Sequence, residues 1–491
     1  MPEQTPTTDR HDLTRALRRI VGKEAVLISE EDLRPYECDG LSAYRALPLL
    51  VVLPVTVEQV QAILRLCHER GVPVVARGAG TGLSGGALPD PDAILLSLAR
   101  FNRILDIDPQ NRTATVEPGV RNLAISEAVA QHGLFYAPDP SSQIACTIGG
   151  NVAENSGGVH CLKYGLTVHN ILQLKLLTIE GELLTLGSHG LDSPGYDLLA
   201  LLNGSEGMLG VVVEVTVRLL PRPERTRVLL AAFETIAQAG DAVGAIIAAG
   251  IIPAGLEMMD NLAIRAAEAF VHAGYPEDAA AILLCELDGI EAEVVEQAAA
   301  VENLLRENGA SSVRVSRDAA EQELMWKGRK AAFPAVGRLS PDYYCMDGTI
   351  PRHRLAEVLT RIGEWSREYD LPVANVFHAG DGNLHPLILY DANRPGELER
   401  TEEFGGRILE LCVEVGGTIT GEHGVGMEKI DQMCVQFAPR ELAYFHAVKA
   451  AFDPVGLLNP GKAVPTLHRC AEFGAMHVHQ GRLPHPELER F

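Results

Sequence analysis

Apolar positions in the first quarter of the chain follow two periods. Val60, Ile63, Leu64 and Cys67 recur at i, i+3, i+4 and i+7, the spacing of one helix face. Thr56 and Gln59 stand at capping-box spacing before this face and Gly71 stands at its stop, so a helix is predicted between them. The runs Leu49-Leu-Val-Val-Leu53, closed by Pro54, and Val72-Pro-Val-Val-Ala76 flank it, and both are short enough to be buried strands. Strand, helix and strand form a βαβ unit with parallel strands, whose ligand-binding end is where the second strand's carboxyl terminus leaves. A helix from Asp12 to Ile20 is predicted ahead of it.

Short strand-like runs follow at 94–98, 103–108 and 113–117, then a helix from Arg121 to Gly133 and an alternating strand from Val211 to Leu220. Pro221-Arg-Pro-Glu-Arg225 interrupts the pattern, as a domain boundary does. Beyond it, the strand runs 228–233, 281–286 and 313–315 alternate with amphipathic helices near 235–249, 291–308, 318–337, 352–368 and 394–415. This order predicts an α+β domain built on one sheet face. The expected organisation is an N-terminal segment 1–45, a cofactor domain 46–222, a substrate domain 223–445, a returning segment 446–465 and a polar tail 466–491.

Composition narrows the function. A chain of 491 residues exceeds one hydrophobic core, and a net charge of -23 argues against nucleic acid or an anionic membrane as the main partner. Nine cysteines without a C-x-x-C pair suit reduced thiols in a cytoplasm and give no iron–sulfur ligand set. No apolar run is long enough to span a bilayer, so contact with a membrane is expected only through partners.

The first candidate for chemistry is Arg77-Gly-Ala-Gly-Thr-Gly-Leu-Ser-Gly-Gly86, which directly follows the second predicted strand. Five glycines let the backbone curl its N–H groups around an anion, and Arg77, Thr81 and Ser84 add donors. Gly80-Thr-Gly-Leu-Ser-Gly85 fits a dinucleotide fingerprint, but Pro89 and Pro91 oppose the helix that fingerprint needs, and no Gly-Lys-Ser/Thr follows for a P-loop. A loop joining strand to strand remains, and a phosphate-bearing cofactor is its natural ligand. A second stretch, from Ala137-Pro-Asp-Pro-Ser-Ser142 to Gly149-Gly-Asn151 and Ser156-Gly-Gly158, leaves room for a flat ligand and offers donors to its edge.

The second candidate is Asn375-Val-Phe-His378-Ala-Gly-Asp381-Gly382-Asn-Leu-His385-Pro-Leu-Ile-Leu-Tyr390. With Asp381-Gly382 as a two-residue hairpin turn, His378 faces His385 directly. Two such imidazoles suit one divalent ion, and Glu422 of Gly421-Glu-His-Gly424 could complete a two-histidine, one-carboxylate set for zinc, manganese, iron or cobalt. His423 is then free to act as a general base. Arg329, in Trp326-Lys-Gly-Arg-Lys330, offers a planar donor fork for a carboxylate.

Together with Gly204-Ser-Glu-Gly-Met-Leu-Gly210 and Asn459-Pro-Gly-Lys462, these motifs resemble the FAD-linked oxidases of the vanillyl-alcohol oxidase type over roughly residues 20–465. Asp342-Tyr-Tyr-Cys-Met-Asp-Gly-Thr-Ile-Pro351 resembles the large flavin subunits of bacterial glycolate oxidases in particular. The resemblance implies a two-part FAD-binding domain plus a ferredoxin-like α+β substrate domain. It implies FAD contacts at Arg77, Gly78, Ala79, Gly80, Thr81, Gly82, Ser84, Gly85, Pro138, Asp139, Ser142, Gly149, Gly150, Asn151, Ser156, Gly157, Glu206, Gly210, Val211, Val212, Asn459 and Lys462. It likewise implies His378, His385 and Glu422 as metal ligands, His423 as base and Arg329 as carboxylate clamp. Cys345 stands where relatives carry a substrate-binding lysine, which disfavours dicarboxylates, and the loop lacks the histidine that tethers flavin in some relatives, so the FAD is expected to be noncovalent. The implied activity is oxidation of glycolate to glyoxylate, with electrons passing to a second flavin-type subunit and an iron–sulfur subunit. The competing readings are a D-lactate dehydrogenase acting alone, a non-catalytic flavin scaffold, and a metal-dependent hydrolase with an unrelated glycine loop.

Overall fold

The computed structural model describes residues 10–190 and 195–465; the expected polar tail 466–491 lies outside the described residues. The chain divides into two compact units. Of the described residues, the cofactor unit takes those up to Ser156, those of Leu166–Pro221, and those of 423–465. The sheet unit takes Gly157–Gly165 and Arg222–Glu422. The chain thus re-enters the cofactor unit at residue 423, earlier than the expected 446, and lends nine residues of its first half to the other unit.

In the cofactor unit, Thr56 caps the helix Val57–Arg70 by accepting from Gln59 N, and Gly71 ends it at φ 63°. Its Val60, Ile63, Leu64 and Cys67 are buried. The strands Leu50–Val52 and Val74–Arg77 are both parallel to Ile94–Ser97, which lies between them. The glycine loop therefore connects one strand to its immediate parallel neighbour, as its prolines require. The end of the chain adds to this sheet: Val74 N donates to Leu457 O at 2.8 Å and Asn459 N to Val74 O at 2.9 Å. A second, antiparallel sheet runs in the order Ile104–Asp108, Thr113–Val116, Val211–Arg218, Ile171–Leu177, Leu183–Gly187. The second glycine stretch is less open than its composition suggested, because Thr147 caps a helix, Ile148–Glu154, within it.

The sheet unit is built on seven antiparallel strands in the order Ala310–Val315, Arg225–Phe233, Ala281–Gly289, Gly255–Asp260, Val373–His378, Asn383–Tyr390, Asp342–Cys345. One face carries Val228, Leu230, Ile282, Leu284 and Val376 against Ala263, Ala267, Met325, Trp326 and Ala335 of covering helices. The helices Ile236–Ala248 and Glu291–Glu307 pack on the same strands without joining that cluster, so both faces are covered, not one. Consecutive burial of residues 228–233 records this, because a strand buried on both sides has no polar alternation.

Candidate active site

The two histidines sit on neighbouring strands of the seven-stranded sheet, His378 on Val373–His378 and His385 on Asn383–Tyr390. The hairpin register differs from the expected one: His378 pairs with Asn383 and Val376 with His385, so the connection is the four residues 379–382. Gly382 takes φ 83° and its N–H donates to His378 O at 3.0 Å, a closure that a two-residue turn does not make. The slip amounts to two residues, the period of a strand, and so keeps both side chains on one face as diagonal neighbours. Their rings lie 5.0 Å apart between centroids, edge to face.

His378 Nε2 is 3.3 Å and His385 Nε2 is 3.2 Å from Glu422 Oε1, and the three ligand atoms lie within 4.8 Å of one another. The opposite edge of His378 is also held: Nδ1 is 2.7 Å from Glu257 Oε1. Met258 and Met259 pair with Phe377 and Val376, a register whose next step sets Glu257 across from His378. Glu257 Oε2 accepts from Arg329 Nε at 2.8 Å and forms an ion pair with its Nη2 at 2.7 Å. Asp347 supports the third ligand. It accepts from Thr420 Oγ1 at 2.6 Å, Gly421 N at 3.0 Å and Glu422 N at 3.2 Å.

Burial acts against charge on every member of this group, and the partners overcome it. It pushes His378 down, but the Glu257 and Glu422 carboxylates hold the imidazole well above the usual range. It pushes Glu422 up, yet His378 and His385 hold that carboxyl well below its usual value. Two imidazole nitrogens and one carboxylate, with His378 oriented through Nδ1 by Glu257 and the backbone of Glu422 held by Asp347, fit a divalent ion with nitrogen and oxygen ligands.

Arg329 is thus placed with both Nε and Nη2 on Glu257, not on an open surface. Glu257 and Asp347 were missed from sequence. The signal for Glu257 was a carboxylate between Leu256 and Met258 inside the strand Gly255–Asp260, all six residues of which are buried. Cys345, 4% exposed, pairs with Leu387, two residues along the strand from His385.

In the cofactor unit the predicted residues gather around the glycine loop. Gly80 and Gly85 take φ 70° and 75°, and the Arg77 side chain folds back to donate to Ala87 O at 3.4 Å. A Cβ on Gly78 would collide with Thr147 Oγ1, which ties the loop to the helix bearing Gly149, Gly150 and Asn151. Asn459 Nδ2 donates to Gly86 O at 2.9 Å and Glu206 O at 2.7 Å, and Lys462 Nζ donates to Leu88 O at 2.8 Å. Glu206, itself at φ 50°, accepts from the N–H groups of Val425 and Gly426. Ser84 is fully buried and its Oγ has no hydrogen-bond partner among the described residues, as expected where a ligand supplies one. Gly210, Val211 and Val212 lie beside Leu176 and Leu177 of the neighbouring strand. Pro138 O accepts from Asn122 Nδ2, Ser142 O closes the turn to Cys146 N, and Gly157 falls in the other unit.

Residues 48–187 match the family described as FAD binding domain, and residues 222–463 match FAD linked oxidases, C-terminal domain. The chain belongs to the FAD-linked oxidases. It is 68% identical over 486 residues to the glycolate oxidase subunit GlcD of Escherichia coli, covering 99% of this chain and 97% of that one. It is 40% identical to GlcD of Bacillus subtilis, over 92% of this chain and 96% of that one, and 32% identical to a D-lactate dehydrogenase of Anaerostipes hadrus, over 90% and 95%. Among solved structures, p-cresol methylhydroxylase shares the fold with a TM-score of 0.80 at 18% identity, covering 95% of this chain and 99% of that one. The expected architecture, an FAD-binding domain followed by an α+β C-terminal domain, is that of this family, and the FAD-linked oxidase described here is an FAD-dependent oxidoreductase.

Proposed function

We propose that this FAD-linked oxidase converts glycolate, or a similarly short 2-hydroxy acid, to the 2-oxo acid. What carries the reading is the buried convergence of His378, His385 and Glu422 in a chain 68% identical to a glycolate oxidase subunit. His378 and His385 through Nε2, with Glu422 through Oε1, would hold a divalent zinc, manganese, iron or cobalt ion. Such an ion lowers the pKa of a hydroxyl bound to it, and noncovalent FAD, when bound, accepts the hydride.

The chain's own residues do the rest. Glu257 accepts a hydrogen bond from His378 Nδ1–H and so orients the ring with Nε2 toward Glu422, where a bound ion would take the place of the Nε2 proton. Asp347 holds the 420–422 backbone and with it the Glu422 carboxylate. His423, next in the chain, takes the hydroxyl proton on a ring nitrogen as general base. Arg329 steadies Glu257 through Nε and Nη2, which leaves Nη1 to meet a substrate carboxylate. Cys345 brings no second cation to the His385 face, which suits a short monocarboxylate. Because the relatives are subunits, we assign onward electron transfer to a second flavin-type subunit and an iron–sulfur subunit. Among the described residues no helix is long and apolar enough to cross a membrane, so any membrane contact is assigned to those partners.

The test is the visible flavin spectrum of the purified holoprotein under anaerobic conditions. Glycolate should bleach the oxidised band without any partner, and failure of both glycolate and D-lactate to bleach it rejects the assignment. The similarity to a D-lactate dehydrogenase supports a second reading, which faster bleaching by D-lactate than by glycolate would establish.

A further inference from the structure

Glu154 closes the helix Ile148–Glu154 in the cofactor unit. Its Oε2 is enclosed and has no hydrogen-bond partner among the described residues. Glycines clear the space around the carboxyl: a Cβ on Gly424 would collide with Oε2, and one on Gly86 would come within 2.7 Å of Oε1. The same Gly424 Cβ would lie 3.0 Å from Glu206 Oε1, so two carboxyl groups crowd one point.

Neighbouring buried carboxyls do not both ionise; one keeps its proton. Glu206 accepts N–H groups from Val425 at 2.7 Å and Gly426 at 2.6 Å, which favour the charged form on that side. Glu154 has no such donors. Burial, then the charges of Glu206 and Asp39, push its carboxyl well above the usual range against the opposing pull of Lys429 and Lys462. The proton of the pair therefore sits on Glu154. Among the described residues Glu154 Oε2 has no hydrogen-bond partner, and a buried O–H left without one costs the desolvation of that group.

We propose that Glu154, in its acid form, donates a hydrogen bond to an oxygen of bound FAD. An ionised carboxylate there would face the anionic pyrophosphate; the acid removes that repulsion and adds a donor. The proposal rests on residues 77–86 being the FAD cradle, and the test separates the two.

Vibrational difference spectra of the native protein, with FAD bound and removed, should show a protonated-carboxyl stretch that shifts on FAD binding and is absent from Glu154→Gln. FAD release on dilution of the holoprotein, read by flavin fluorescence, should show Glu154→Leu weakening retention roughly ten- to a hundredfold, while Glu154→Gln, which keeps an N–H donor, stays within about threefold of native. A carboxyl band unmoved by FAD overturns the inference, as does a folded Glu154→Leu protein that holds FAD as tightly as native. If Lys462→Met also leaves FAD affinity unchanged, the cradle reading fails as well; if Lys462→Met loses FAD and Glu154→Leu does not, only the role of Glu154 is rejected.

Discussion

The two units make their sites in opposite ways. Around the glycine loop the cofactor unit works mostly with backbone: φ 70° and 75° at Gly80 and Gly85, and carbonyls of Gly86, Leu88 and Glu206 held by Asn459 and Lys462. At least one buried polar atom there, Ser84 Oγ, has no hydrogen-bond partner among the described residues. The sheet unit works with side chains that already bond each other. There Arg329 holds Glu257, Glu257 holds His378, and Asp347 holds the segment carrying Glu422. A cradle for a large cofactor has to stay incomplete until the cofactor enters, whereas ligands for a small ion have to be fixed beforehand, because reorganising buried charges is costly. Substitutions around the glycine loop should therefore be read in flavin content, and those in the histidine–carboxylate group and at the adjacent His423 in chemistry, metal and stability.

The largest break in this division is His423→Ala. Loss of a general base typically costs roughly 10²- to 10⁴-fold, so rapid-mixing measurements should show flavin reduction by glycolate slowed by that factor while bound FAD per chain stays as in the native protein. Equal loss of flavin and rate would place His423 in the cradle instead. Chelation followed by metal analysis gives the companion result: reduction should fall with metal content and return when the ion is restored, with FAD retained throughout.

Next comes the charge chain. Glu257→Ala strands the Arg329 guanidinium, which is 2% exposed, and breaking one side of a buried pair costs about 3–5 kcal/mol. The urea midpoint should fall accordingly, and metal affinity should drop roughly 10- to 100-fold with the loss of the bond to His378 Nδ1. Combining Glu257→Leu with Arg329→Met should recover much of the stability without the metal affinity. A fully restored metal affinity in that double variant would show that Glu257 does not orient the histidine.

Sequence disclosed the two sites unequally for the same physical reason. A strand, a glycine run and a capped helix are local patterns, and so were Val74–Arg77, the loop and Val57–Arg70. The common face of His378 and His385 was legible too, because strand period survives a register slip of two. The length of the hairpin connection was not, since it depends on Gly382 N closing onto His378 O. Glu257 stands 121 residues from His378, and Asp347 is 75 from Glu422. Contacts at such separations leave no periodic trace; for Glu257 a carboxylate between the apolar Leu256 and Met258 of a buried strand is a local hint.

A smaller effect tests the cradle's backbone. A Cβ on Gly426 would collide with the carbonyl oxygen of Ser84, the same oxygen that accepts from Met427 N and Glu428 N. Gly426→Ala should cost about 1–3 kcal/mol through a residue forced at φ 53° and a displaced carbonyl. Flavin content should fall while metal content per folded chain holds. Simultaneous loss of metal at unchanged flavin would break the separation between the two regions.

The gentlest probe needs no substitution in the backbone. Burial pushes the Lys462 ammonium down to about 8, against the opposing pull of Asp39, Glu206, Asp90 and Glu154. Below that pH the FAD-free protein presents a cation to the loop; above it, an amine. If the loop takes the pyrophosphate, the bound phosphate charge favours the ammonium, so binding above pH 8 must take up a proton. Affinity for FAD should then be flat below pH 8 and fall with rising pH above it, by at most about tenfold per unit, the limit for one proton. Lys462→Met should bind FAD more weakly at pH 7 and lose this slope. A slope that survives the substitution assigns the titration to another group, and a native affinity that rises above pH 8 removes Lys462 from the cradle.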